Sequence, residues 1–185
     1  MAVVEAKPMT AGEYQRLPEP MDGTRLELVR GEVVSVCRPT WEHGEIQIAI
    51  GSLIKNFLRT NPIGRVAREC GVITEHEPDT VRGPDVSFIS KERMPLGERM
   101  PKFAELTPDL CVEIISPSNT RAKMNEKIEE YFETGAKMVW VVDPEDQSVT
   151  VHLEPEEGRT PKGKAVLTGG EVLKGFSCKV AEFFE

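Results

Sequence analysis

Positive charge is what this 185-residue chain has too little of. Its 23 lysines and arginines stand against 31 aspartates and glutamates, a formal net charge of −8. Proteins that coat nucleic acid indiscriminately are usually basic, because phosphate neutralisation dominates their affinity. That class is disfavoured, although a site whose carboxylates collect a divalent cation is itself acidic when empty. Long apolar runs are also missing: none approaches the roughly 20 residues a membrane-spanning helix needs. The four cysteines, Cys37, Cys70, Cys111 and Cys178, form no Cys-x-x-Cys pair, which argues against zinc ribbons and dithiol redox motifs. Cys111 and Cys178 lie in apolar surroundings and read as core thiols. The opening MAVVEAKPMT has no basic region followed by an apolar stretch, so no secretory leader is expected and the cytoplasm is the expected compartment. No internal repeat or low-complexity tract occurs.

What is present is globular: 39% hydrophobic and 29% charged residues, on a length that suits a single domain spanning 1–185. Thr10 and Glu13 form a capping box that opens a short helix. Residues 26–29 and 32–36 read as strands joined tightly at Arg30-Gly31. Thr40 caps a helix over Trp41–Thr60, with Ile46, Ala49, Ile50, Leu53, Ile54 and Phe57 on one apolar stripe. Residues 65–75 read as one strand, 77–83 as a turn and 84–89 as a strand. The charged segment 90–106 reads as an exposed loop. Its Lys91, Arg93, Arg99 and Lys102, with nearby Arg82, either touch phosphates or are simply solvated.

Residues 109–115 read as a buried strand. Asn119 caps a helix over 120–134, which Gly135 ends. Residues 138–142, apolar on both faces, read as a central strand. A strand at 148–153, a hairpin loop at 154–163, short strands at 165–167 and 171–173 and a small helix near 180–183 complete the chain. The strand–helix–strand run from 110 to 142 forms a parallel crossover. This order predicts an α/β (α+β mixed) fold, a central mixed sheet flanked by two long helices, with an N-terminal hairpin.

One position breaks the pattern. In DLCVEIISPSNT (109–120), Glu113 sits among Leu110, Cys111, Val112, Ile114 and Ile115. A buried carboxylate is costly unless a cation or donors meet it. Its same-face neighbours Cys111 and Ile115 are apolar, so that face is either covered or carries one polar residue to solvent. Asp85 follows Pro84 at another strand start. Alone it is a turn aspartate. With Glu113 it makes two acids that can converge on one face of neighbouring strands. Carboxylates held close repel unless they share a proton or a metal, and oxygen-only ligands suit Mg²⁺ or Mn²⁺. Lys127 lies at the edge of the stripe Thr120, Met124, Ile128, Tyr131 and Gly135. It either snorkels to water or reaches the carboxylates and positions a water molecule. Lys123 sits further out.

Pro84-Asp85, Glu113 and a lysine resemble the core of the PD-(D/E)XK nuclease superfamily. More closely, the chain resembles the Uma-two family of restriction-endonuclease-like proteins. The matching stretches are LELVRGEVV (26–34), His43, PDVSFI (84–89), VEIISPSN (112–119), KIEEYFETGAKMVWVVDP (127–144) and LKGFSCKVAEFF (173–184), nearly the whole chain. The resemblance implies a restriction-endonuclease-like core and a Mg²⁺-dependent endonuclease acting on DNA, with Asp85 and Glu113 on the metal. In the superfamily's common pattern the lysine stands two positions after the glutamate. Here that position is Ile115, and in this family the lysine comes from the following helix, which points to Lys127. Glu27 would be a third acidic ligand or a water-positioning group, against the plainer reading of an exposed hairpin carboxylate. His43 would border the site, near phosphate or water at the metal, against a bonded structural role. Ser116 either bonds the site or makes the turn before Pro117. His76 and His152 read as surface residues. A homodimer is expected from the same resemblance, since nucleases that cut both strands often pair. Two other readings stay open: a nuclease fold that binds or regulates without turnover, and a hydrolase acting on another phosphoester.

Overall fold

A computed structural model describes residues 7–18, 20–21, 24–36, 39–99, 102–116 and 120–185. The Thr10–Glu13 capping box closes in both directions and starts α1 (Ala11–Tyr14). Strands β1 (Arg25–Val29) and β2 (Glu32–Val36) pair through Arg30 and Gly31, which both take positive φ, 49° and 77°, the backbone a two-residue hairpin demands. Thr40 caps α2 (Trp41–Thr60), its hydroxyl accepting from His43 N at 3.2 Å.

The single strand expected over 65–75 is two strands in different sheets, β3 (Gly64–Arg68) and β4 (Gly71–Glu75). The chain turns at Glu69, which takes φ 52°. No proline marks that break, so the apolar pattern runs through it. The expected turn at 77–83 contains β5 (Thr80–Arg82), all three residues buried. After β6 (Val86–Ser90), the expected exposed loop contains β7 (Phe103–Ala104), which pairs parallel to β4. Then come β8 (Leu110–Ile114) and α3 (Arg121–Glu133). Thr120 caps α3, accepting from Lys123 N at 3.3 Å; the expected cap, Asn119, lies outside the described residues. Gly135, at φ 106°, ends the helix turn. The remaining strands are β9 (Met138–Asp143), β10 (Ser148–His152), β11 (Gly158–Arg159), β12 (Val166–Gly169) and β13 (Leu173–Lys179), followed by a 3₁₀ turn, Val180–Phe183. The last two strands run further along the chain than expected.

A six-stranded mixed sheet has the order β11-β10-β9-β8-β6-β3, with β8 and β9 parallel, as the crossover α3 requires. A second sheet, β2-β1-β5-β4-β7, stands beside it. Period-two alternation decides what each face of β8 meets. Leu110, Val112 and Ile114 join Ile46, Ile50, Ile54 and Leu58 of α2 in the main core, with Trp140 and Phe88. Cys111 joins Met124, Ile128 and Tyr131 of α3 with Val139 and Val141. Glu113 alternates with Cys111 and so belongs to the α3 side. The sheet is flanked by a helix on each face. Gly44 and Gly51 lie inside α2, where glycine costs about 1 kcal/mol relative to alanine, yet an added Cβ at either would meet nothing within 4 Å. Among the described residues no helix is long and apolar enough to cross a membrane.

Candidate active site

Glu113 is 3% exposed, so its carboxylate must be met from inside. Helix α3 supplies both partners from one face, four residues apart. The Tyr131 hydroxyl donates to Oε1 at 2.6 Å, and Lys127 Nζ donates to Oε2 at 3.0 Å. Burial raises the Glu113 carboxyl above its ordinary range; Asp85 and Glu27 add to the rise, while the Lys127 ammonium and the Tyr131 hydroxyl oppose it. Burial works against the Lys127 ammonium too, but Glu113 and Glu27 outweigh it and hold the amine protonated, above its ordinary value. Burial and the Glu113 charge push the Tyr131 phenol well up, so it stays a donor.

Strands β6 and β8 pair antiparallel, with Val86 opposite Val112. Asp85 directly precedes β6, next to that pair, and its charge adds to the rise in the Glu113 carboxyl. The Asp85 carboxylate, 5% exposed, is fixed from two sides. Its Oδ2 accepts from Ile114 N at 2.8 Å, and its Oδ1 lies 3.0 Å from His43 Nε2. One turn along α2 from His43, Gln47 donates to the Asp85 carbonyl at 2.8 Å. The other imidazole nitrogen, His43 Nδ1, is buried and has no partner among the described residues.

The second sheet brings the other charges. Glu27 on β1 accepts from Lys127 at 3.4 Å through Oε1 and from Arg82 at 3.2 Å through Oε2. Arg82 also holds Glu130 of α3 with two bonds, at 2.7 and 2.6 Å, a bidentate fork. Glu130 Oε2 accepts in addition from Thr74 Oγ1 at 3.1 Å. The cluster therefore sits where α3 meets both sheets, with Glu27, Glu113 and Glu130 paired to two fixed cations, Lys127 and Arg82, and Asp85 held separately by His43 and Ile114 N.

Residues 11–181 match the family described as "Uma2: Putative restriction endonuclease". The chain belongs to the Uma2 family. A solved structure described as "a putative nuclease belonging to DUF820 from Anabaena variabilis" has the same fold, with a TM-score of 0.81 at 23% identity, covering 96% of this chain and 98% of that one. No curated protein matches the chain.

In this Uma2 chain the five residues singled out from sequence fall in one region. Lys127 touches both Glu27 and Glu113, and Asp85 with His43 stands at the neighbouring strand end. The donor set is hard oxygen with a net acidic balance, which fits Mg²⁺, an ion that keeps several waters and takes one or two protein carboxylates. Among the described residues, no group of three or more His, Cys, Asp or Glu is arranged to hold a metal. A cation held here would therefore rest on at most two of these side chains.

The basic loop residues behave differently from one another. Arg82, expected near phosphate if not solvated, is 5% exposed and paired internally. Arg93 pairs with Asp109 at 3.4 Å, and Lys102 donates to the Gln15 carbonyl at 2.9 Å. Lys91 and Arg99 are exposed. His76 is a surface residue paired with Asp79, whereas His152 is half-buried. Sequence reasoning read Tyr131 only as a core residue and passed over Glu130 and Gln47. The signals existed: Tyr131 lies four after Lys127 and a buried hydroxyl needs a partner, and Gln47 lies four after His43 on a buried stripe.

Proposed function

We propose that this protein is a Mg²⁺-dependent endonuclease that hydrolyses phosphodiester bonds of DNA. The observation that carries the reading is the largely covered amine of Lys127 set 3.0 Å from the buried Glu113 carboxylate. Asp85 and Glu113 would hold the cation. When bound, such a cation neutralises phosphate charge and makes a nearby water more acidic.

The chain's own residues do the rest. His43 and Ile114 N hold the Asp85 carboxylate in one orientation, and Tyr131 does the same for Glu113. Lys127, kept charged by two carboxylates, orients the attacking water or stabilises negative charge developing on the phosphate. Glu27, with one oxygen on Lys127 and the other on Arg82, is assigned to positioning that amine. His43, through Nε2 on Asp85, is assigned to positioning that carboxylate.

The experiment compares the parent with Asp85→Ala, Glu113→Gln and Lys127→Met on plasmid and single-stranded DNA, with Mg²⁺, with Mn²⁺ and with chelator. Cleavage by the parent alone, abolished by chelator, is the expected result. Equal cleavage by Glu113→Gln sinks the assignment.

A second reading rests on a specific observation: every carboxylate oxygen of Asp85 and Glu113 already has a partner within the chain. A nuclease fold that binds or regulates without turnover would look the same. Calorimetry with Mn²⁺ separates them, since a competent site binds the ion and loses it in Asp85→Ala.

A further inference from the structure

Helix α2 uses one face for the core, and its opposite face is unusual for a surface. Trp41 is 86% exposed and Ile48 60% exposed. With Glu45, Ser52, Lys55 and Arg59, all exposed, they recur at spacings of four and three, so all six lie on one outward stripe. The helix interior glycines Gly44 and Gly51 border that stripe and leave open space above it. Among the described residues Glu45, Lys55 and Arg59 have no ion partner.

The stripe is self-complementary. Its acid lies toward the N-terminal end and its two bases toward the C-terminal end. If a second α2 lies antiparallel across it, with a two-fold axis at Ile50, Glu45 meets Lys55, Ile48 meets Ser52 and Trp41 meets Arg59, each pair twice. That is the isologous pattern of a two-fold dimer. Trp41 over Arg59 is a favourable cation–π pair, and the opposed helix dipoles reinforce the arrangement.

A helix pair about 30 Å long is a small interface, so more than the stripe must be covered. The extra surface lies alongside. A groove of about 400 Å³ runs between α2 and β3, the edge strand of the six-stranded sheet, lined by Ile48, Gly51, Lys55, Arg59, Ala67 and Arg68. The antiparallel register delivers the second copy's Trp41 to the Arg59 end of this groove.

We propose that the outer face of α2 is a self-association surface whose occupant is a second copy of this chain, packed helix to helix and antiparallel, with each copy's Trp41 seated in the other's α2–β3 groove. The proposal does not rest on the nuclease reading; of the groove's walls only Gln47, which is not substituted in the test, also touches the candidate site, through the Asp85 carbonyl.

The test is sedimentation velocity of the full chain over a roughly hundredfold range of concentration. The parent should dimerise as concentration rises. Glu45→Lys and Lys55→Glu each turn two attractive pairs into repulsive ones and should weaken the dimer at least about tenfold. The double variant Glu45→Lys/Lys55→Glu restores opposite charges and should return to within about threefold of the parent. Trp41→Ala should also weaken it. Circular dichroism and melting of the dilute monomers should match the parent, which separates lost association from lost folding. A parent monomeric throughout, single swaps that dimerise as well as the parent, or a double variant no better than the singles would each overturn the proposal. So would a parent that stays monomeric and loses duplex-DNA binding on Lys55→Glu, a result that would give the face to nucleic acid.

Discussion

Arg82 is the residue whose removal should disturb this molecule most for its size. It is 5% exposed, and its guanidinium makes three contacts, two to Glu130 at 2.7 and 2.6 Å and one to Glu27 at 3.2 Å. The side chains of Glu27 and Glu130 are only 12% and 13% exposed, so water cannot replace the lost cation. Arg82→Met keeps most of the volume and removes the charge. Glu130 is then left with Thr74, and Glu27 with Lys127. Breaking a buried ion pair from one side costs about 3–5 kcal/mol, a large part of the roughly 5–15 kcal/mol that holds an ordinary domain together. At about 2–4 °C per kcal/mol for a chain of this length, the melting temperature should fall by about 6–20 °C. The assay is thermal and urea unfolding followed by circular dichroism, with Arg82→Met compared against Arg82→Met/Glu130→Leu. The double variant should recover at least half of the loss, because most of the penalty lies in the stranded carboxylate. Added salt should change little, since buried pairs are weakly screened. A loss below about 1 kcal/mol for Arg82→Met would place the guanidinium effectively in solvent and refute the reasoning.

Other outcomes follow from the same bookkeeping of buried groups. Tyr131→Phe removes the 2.6 Å donor from Glu113 without changing shape, and should destabilise by about 1–3 kcal/mol in urea unfolding. Trp140 is fully buried in the main core, and Trp140→Ala should cost about 3–5 kcal/mol through lost burial and a cavity, read from the same curves. Burial pushes the Asp109 carboxyl up, but Lys137 at 2.8 Å and Ser90 N at 2.8 Å, with Arg93, outweigh it and hold it below its ordinary value. A depressed folded pKa contributes stability above the unfolded value near 4 and loses it as pH falls through the folded value. Asp109→Asn should therefore be less stable than the parent at neutral pH, and the gap should close as the pH falls below about 4; a gap that persists in acid contradicts the ion pairing.

How far the sequence spoke depends on the distance over which each contact acts. The Thr10–Glu13 box, the Arg30-Gly31 hairpin and the span of α2 all rest on residues within a few positions of one another, and all formed where local patterning put them. The alternation that set Glu113 beside Cys111 is equally local; it left the carboxylate either covered or facing solvent, and the structure covers it. The break at Glu69, the strand hidden in 80–82 and the pairing of β7 with β4 are decided by which sheet each segment joins. No short window records that choice.

The charged cluster makes the same division. Sequence patterning placed Lys127 at the margin of a buried stripe and left two destinations open, water or carboxylate. The tertiary structure chose the carboxylates, through contacts 14 and 100 positions away, to Glu113 and Glu27. Arg82 looked like one more base near a basic loop. It became interior only because β1 and α3 bring Glu27 and Glu130 to it from 55 and 48 positions away. Periodicity and capping are properties of a segment and can be read from it. The partner of a buried charge is a property of packing, and exists only once separate segments have excluded water together.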